Sequence, residues 1–213
     1  QMKSLKSLSK KLVAVIIALT LLFSMCITAA VPATASTGTT YADGKVLATD
    51  ENLRYLGHWT ESNGSMKGYF QSTVEIKFTG TSLKIDFDAS GSIAVSIDGG
   101  SYSYFNAGSN VVLASGLNAG SHKAVITAKF QHVRPIIKGF TIDAGAQVLE
   151  PDTNKNITFI GDSITLGYFG NVTGYDHSFV NAYGTKVAAN FGWAVNTTAI
   201  GGIGIAEANT GID

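Results

Sequence analysis

The sequence predicts two folding units in one chain, an all-β sandwich followed by the start of an α/β parallel-sheet domain. Three observations carry this reading. Strands of two-residue period recur between Val46 and Ile142, turn residues separate them at regular intervals, and a strand–helix–strand pattern replaces them after Glu150-Pro151-Asp152. Apolar residues make up 45% of the 213 positions and charged residues 14%, a balance that suits buried cores and not a disordered chain.

Residues 1–35 read as an export signal. Lys3, Lys6, Lys10 and Lys11 precede an uncharged apolar run from Leu12 to Ala30, and Ala33-Thr34-Ala35 offers a small-x-small cleavage site. The mature chain is expected to begin at Ser36 and to be secreted, from a leader of bacterial type. A run of this length could also span a bilayer, but the cleavage motif favours export without a stable membrane anchor. Cys26 follows Met25, where lipidation would need a small residue, and removal of the leader leaves no cysteine for disulfide or thiolate chemistry. It also leaves eleven basic against fifteen acidic side chains, which excludes a basic nucleic-acid footprint and a polybasic membrane patch.

Residues 36–44 are small and read as a linker to a sandwich over residues 45–148. Val74, Ile76 and Phe78 alternate with Glu75 and Lys77; Leu83, Ile85 and Phe87 with Lys84 and Asp86; Ile93, Val95 and Ile97 with Ala94 and Ser96. Half-buried strands show this pattern. Thr79-Gly80-Thr81, Ser90-Gly91 and Asp98-Gly99-Gly100 mark the turns, and Val111–Ala114, Ala124–Phe130 and Ile136–Ile142 continue the series to seven or eight strands.

In residues 149–213, Ile157–Ile160 is a short strand running into Gly161-Asp162-Ser163-Ile164-Thr165. Val180, Tyr183, Val187, Ala188 and Phe191 then recur at helical spacing, with Gly192 placed to end the helix, and Trp193–Ile200 is a second strand feeding Gly201-Gly202-Ile203-Gly204. A right-handed crossover makes the two strands parallel, so both glycine-bearing loops leave at the carboxyl edge where open α/β sheets gather ligands.

That placement gives Ser163 a chemical reading. A serine hydroxyl becomes a nucleophile when a base takes its proton and backbone N–H groups face the developing oxyanion. The N–H groups of Ser163 and Gly202 are the candidate donors, each worth on the order of 3 kcal/mol of barrier. The same residues allow a plainer reading, in which Asp162 or Ser163 caps the turn that follows.

Ile157 to Gly167, with Gly161-Asp162-Ser163 at its centre, resembles the first block of the SGNH, or GDSL-like, hydrolases. Ala199-Ile200-Gly201-Gly202-Ile203-Gly204 is similar to their second block. The resemblance implies Ser163 as nucleophile and Gly202 as oxyanion donor, with Gly201 the second candidate and Asp162 in support. Gly201 stands where that block usually carries serine or alanine. A jelly-roll-like sandwich ahead of such a domain resembles carbohydrate esterase family two, secreted enzymes that remove acetyl groups from xylan and related plant polysaccharides. The family's later blocks, Gly-x-Asn-Asp and Asp-x-x-His, do not occur in the 213 residues. The resemblance therefore implies an amino-terminal part of an esterase, inactive without its histidine base.

Of the four histidines, His58, His122 and His132 fall in the sandwich and read as packed or surface residues. His177, in the loop Tyr175-Asp176-His177, is a candidate base or substrate contact as well as a plain loop residue. No histidine or carboxylate spacing suggests a metal, and no cofactor is expected. Gly202-Ile203-Gly204 begins like a dinucleotide fingerprint, but Glu207 replaces its third glycine. Asn63, Asn156, Asn171 and Asn196 open glycosylation-like triplets without meaning in a bacterial host. Tyr55, Trp59, Tyr69, Tyr102, Tyr104 and Phe105 offer either a sugar platform or packing. The alternative function is accordingly a carbohydrate-binding or adhesive sandwich module without catalysis.

Overall fold

The computed structural model describes residues 37–130, 132–153, 155–168 and 178–202. The expected leader therefore lies outside the described residues. Eleven antiparallel strands form the sandwich: β1 (Gly38–Thr40), β2 (Lys45–Leu47), β3 (Arg54–Ser62), β4 (Ser65–Gly80), β5 (Leu83–Asp88), β6 (Ile93–Ile97), β7 (Ser103–Phe105), β8 (Gly108–Ala114), β9 (Gly120–Ala128), β10 (Ile136–Ile142) and β11 (Gln147–Leu149). Their order is β7-β6-β9-β4-β10-β5-β8, with β3 and β11 also paired to β4, β2 to β10 and β1 to β11, and the whole nearly closes on itself.

The sixteen-residue β4 makes the closure possible. Its first residues, Met66 and Lys67, pair with β10, while Thr73 to Gly80 pair with β9. The alternating apolar residues point inward from every side. Val74, Ile76 and Phe78 of β4, Leu83, Ile85 and Phe87 of β5, and Ile93 and Val95 of β6 meet Ile126, Ile137, Phe140 and Val148 in one buried cluster. Burying each such side chain contributes roughly 1.5–3 kcal/mol.

Three expectations change against the structure. Gly38–Thr40, read as linker, is strand β1, because its backbone pairs with β11 from Gly38↔Leu149 to Thr40↔Gln147. The seven or eight strands expected from Val46 to Ile142 are nine, β2 to β10, and the β3–β4 pair among them, which lacks a clean alternation, closes through Asn63-Gly64, with φ of 50° and 74° and Ser62 opposite Ser65. Positive φ at both central residues is the two-residue hairpin geometry that Asn-Gly favours. The strands read as half-buried are buried on both faces where they face the α/β residues: Thr73, Glu75, Ala94, Ser96 and Thr127 are all buried. A cavity of about 310 Å³ is lined on one side by Thr73, Ser96 and Val125 and on the other by Thr185, Ala188, Trp193 and Val195, so the polar face of β4–β9–β6 is an internal contact.

The approach to the α/β residues is held by charge. Glu75 accepts from Arg54 (3.3 Å) and Lys123 (3.1 Å), and Asp152 accepts from Lys123 (3.1 Å) and Lys77 (2.8 Å). Beyond it, β12 (Asn156–Gly161) and β13 (Ala194–Ala199) pair in parallel from Asn156↔Ala194 to Gly161↔Ala199. Between them lie a 3-10 turn at Phe179–Asn181 and helix α1 (Tyr183–Asn190). The helix ends as expected at Gly192, φ +62°, where Gly192 N–H reaches Ala189 O (3.1 Å) and Trp193 N–H reaches Ala188 O (2.9 Å), a Schellman closure. Its buried face differs from the expected stripe. Gly184, Thr185 and Ala188 are buried, with the Phe159 ring in the space a side chain at 184 would fill, while Tyr183 and Val187 are exposed and Phe191 is 64% exposed.

Candidate active site

The loop after β12 is a tight, self-bonded turn. Asp162 Oδ1 accepts the Ile164 N–H at 2.9 Å, the Asp162 carbonyl accepts from Leu166 (3.1 Å), and the Ser163 carbonyl accepts from Tyr168 (2.9 Å). Position 161 must be glycine, since a Cβ there would run into the Thr165 side chain, whose hydroxyl pairs with Tyr183 OH at 3.2 Å. The capping reading thus applies to Asp162. Ser163 is half-buried, and no described group hydrogen-bonds its hydroxyl.

The second glycine loop leaves from the same edge. Ile200 N–H extends the parallel ladder to Gly161 O at 3.3 Å, and Gly202 follows with φ +82°, the left-handed region open to glycine. Ser163, Gly201 and Gly202 line one pocket of about 270 Å³, together with Leu166, Tyr168 and Phe130. Three of the four candidate residues of the sequence thus line one pocket, and Asp162 shapes the turn that presents Ser163.

Phe130, Leu166 and Tyr168 are lining residues that sequence reasoning did not single out, and Phe130 is the one of them far from Ser163 in sequence. It comes from the sandwich, at the end of what read as one more strand, and no local pattern marks a residue that meets position 163 only through tertiary packing. Its neighbour Lys129 sets it in place: the Lys129 N–H donates to Ser92 O at 3.1 Å, while the Lys129 carbonyl accepts from Phe179 N–H (2.9 Å) and Ser178 Oγ (3.2 Å).

The described histidines do not line the pocket. His122 bonds Asp98 Oδ2 through Nδ1 and the Asn118 carbonyl through Nε2, both at 2.7 Å; the Asp98 carboxylate, then that carbonyl, holds its pKa above the ordinary imidazole value. Burial pushes Asp98 up, but its hydrogen bonds from His122 and the Lys123 N–H leave it below the usual carboxylate range. His132 stands edge-on to Phe130, ring centroids 6.0 Å apart, and His58 lies against Tyr69. His177, Asp176, Ile203, Gly204 and Glu207 lie outside the described residues.

The six aromatic rings do not form one platform. Tyr55, Trp59 and Phe105 pack against the core, whereas Tyr104 is exposed beneath the Lys129 ammonium. Burial, then the Glu75 charge, pushes the Tyr102 phenol up to about 12. Tyr69 stands apart among His58, Lys67 and Arg134.

Residues 60–151, most of the sandwich, match the family model described as Carbohydrate esterase 2 N-terminal. The chain resembles the carbohydrate esterases of family two. It is 28% identical over 162 residues to the cellulase/esterase CelE of Acetivibrio thermocellus, covering 69% of this chain and 20% of that protein. Among solved structures, a family two carbohydrate esterase from Clostridium thermocellum in complex with cellohexaose is 26% identical with a TM-score of 0.64, covering 76% of this chain and 55% of that one. An acetyl xylan esterase, Est2A, from the rumen bacterium Butyrivibrio proteoclasticus shares the fold at 21% identity and a TM-score of 0.61, over 79% of this chain and 50% of that one. The chain spans about half the length of these solved relatives and a fifth of the curated one.

Proposed function

We propose that this chain carries the nucleophile of a secreted serine esterase that removes acetyl groups from a plant polysaccharide such as xylan. The observation that carries the reading is the shared pocket of Ser163, Gly201 and Gly202 at the carboxyl edge of two parallel strands. In the proposed cycle the Ser163 hydroxyl attacks the acetyl carbonyl, and the N–H groups of Ser163 and Gly202 hold the oxyanion. The tetrahedral species collapses with release of the sugar hydroxyl, and water then frees acetate from the serine. Proton transfer falls to a histidine outside the 213 residues, in an SGNH-type α/β domain of which residues 149–213 supply the first βαβ unit. Export through residues 1–35 would place the enzyme with its extracellular substrate, and the likeness to a cellohexaose-bound relative supports a carbohydrate ligand.

The test is a chromogenic acetyl ester assayed with the 213-residue chain and with a version extended by the downstream reading frame. The extended protein is expected to hydrolyse it and to lose at least a thousandfold of its turnover on Ser163→Ala, as removal of a nucleophile does. The short chain should be a poor catalyst, its serine hydroxyl unactivated. Carbohydrate binding by an extended protein with no Ser163-dependent hydrolysis would instead establish a non-catalytic binding module.

A further inference from the structure

Resting on the esterase reading for its place beside the pocket, we propose that the sandwich carries a docking site for acidic sugar units, so that the preferred substrate is an acetylated polysaccharide bearing uronic-acid carboxylates. The site is the ring of Tyr69 with Arg134 and Lys67. The Arg134 guanidinium lies 5.7 Å and the Lys67 ammonium 5.4 Å from the ring centroid, with His58, the cross-strand partner of Tyr69, 4.9 Å away centroid to centroid.

These two cations are set apart from most others in the sandwich. Arg54, Lys77, Lys123 and Lys138 all meet a carboxylate within salt-bridge distance, whereas among the described residues Lys67 and Arg134 meet only the Tyr69 ring. Two cations left without an acid, in a chain that is acidic overall once residues 1–35 are set aside, form a local positive site for an anionic ligand. A guanidinium engages a carboxylate with paired N–H donors, an ammonium adds a point charge, and the Tyr69 ring holds the two cations beside each other. Together they match a sugar carrying a carboxylate better than a neutral one.

The patch is tied to the pocket. Arg134 is four residues beyond Phe130, the pocket wall, so their Cα atoms are at most about 14 Å apart. The segment between them is pinned at both ends, by Lys129 against Ser92 and Phe179 and by the Pro135 carbonyl, which accepts from Gly68 N–H at 2.8 Å. One oligosaccharide can therefore reach from the Ser163 pocket across Phe130 to Tyr69.

Calorimetric titration of the chain with a glucuronic-acid-substituted xylo-oligosaccharide and with the unsubstituted oligosaccharide of equal length tests this. The acidic ligand should bind about tenfold more tightly, the worth of one charged hydrogen bond. That preference should vanish in Arg134→Gln/Lys67→Gln, shrink but survive in Arg134→Lys, and weaken with added salt. Equal binding of the two ligands, no binding of either, or a preference retained in the double variant of unchanged thermal midpoint would overturn it. Hydrolysis of a small acetyl ester by the extended protein does not involve the patch and should be the same in the double variant. Loss of Ser163-dependent turnover with the acidic preference intact would therefore refute the esterase reading alone.

Discussion

The backbone amide of Phe179 donates to the carbonyl of Lys129 at 2.9 Å, joining the segment before helix α1 to the residue that precedes the pocket wall. Ser178, fully buried, adds its hydroxyl to the same carbonyl. Ser178→Ala is expected to lower stability by about 1 kcal/mol, the usual worth of one such bond. Urea denaturation should show this as a lower midpoint at an unchanged m-value.

Gly161→Ala places a methyl group against the Thr165 side chain, and overpacking of this kind costs roughly 1–3 kcal/mol. The displaced turn also moves Ser163, so turnover by the extended protein should fall by about a hundredfold. Combining it with Thr165→Ala relieves the clash. The double variant should therefore be more stable than the sum of the two single effects, as a thermal-unfolding cycle would reveal.

Glu75 is buried between Arg54 and Lys123, whose side chains are 15% and 27% exposed. Glu75→Ala removes the carboxylate that Arg54 and Lys123 share, and the expected loss is about 3 kcal/mol, at the lower end for a broken buried pair because Lys123 keeps some solvent and Asp152. Loss below 0.5 kcal/mol in denaturant titration would show the network to be dispensable.

His122 can donate from both ring nitrogens only as an imidazolium, and its raised pKa follows from that. A raised folded-state pKa stabilises fully below the unfolded value of about 6.5, and that contribution disappears as pH climbs through the folded value. Asp98, held low, contributes above about 3.9 and loses its contribution as pH falls through its own folded value. Proton NMR should find His122 titrating above pH 6.5, and closer to it in Asp98→Asn.

Residues 37–150 are expected to fold alone, because the inner cluster is made within them and the strand faces they would uncover carry Thr73, Ser96 and Thr127. Calorimetry should show a cooperative transition, below that of the full chain; its absence would refute the expectation.

The two-residue period made Val74 to Phe78, Leu83 to Phe87 and Ile93 to Val95 legible as core, because one face of each strand meets only apolar partners. Ser163 and the paired glycines were legible from chain order, since parallel strands carry their following loops to one edge. Phe130, β1 and the buried reverse faces of Thr73 and Ser96 were not, because each depends on a partner far away in sequence. Asn63-Gly64 drew notice only as the start of a glycosylation-like triplet, and its role as the β3–β4 turn emerges with the positive φ of both residues.

Strand β1 finds its partner late: Thr40 and Gln147, whose side chains bond at 3.2 Å, are 107 residues apart along the chain. During synthesis the first strand must wait, unpaired, until β11 has left the ribosome, and closing so large a loop charges its entropy before any contact repays it. Folding of the sandwich should thus be slow, on the millisecond-to-second scale of non-local β topologies, with the docking of β1 among its last events.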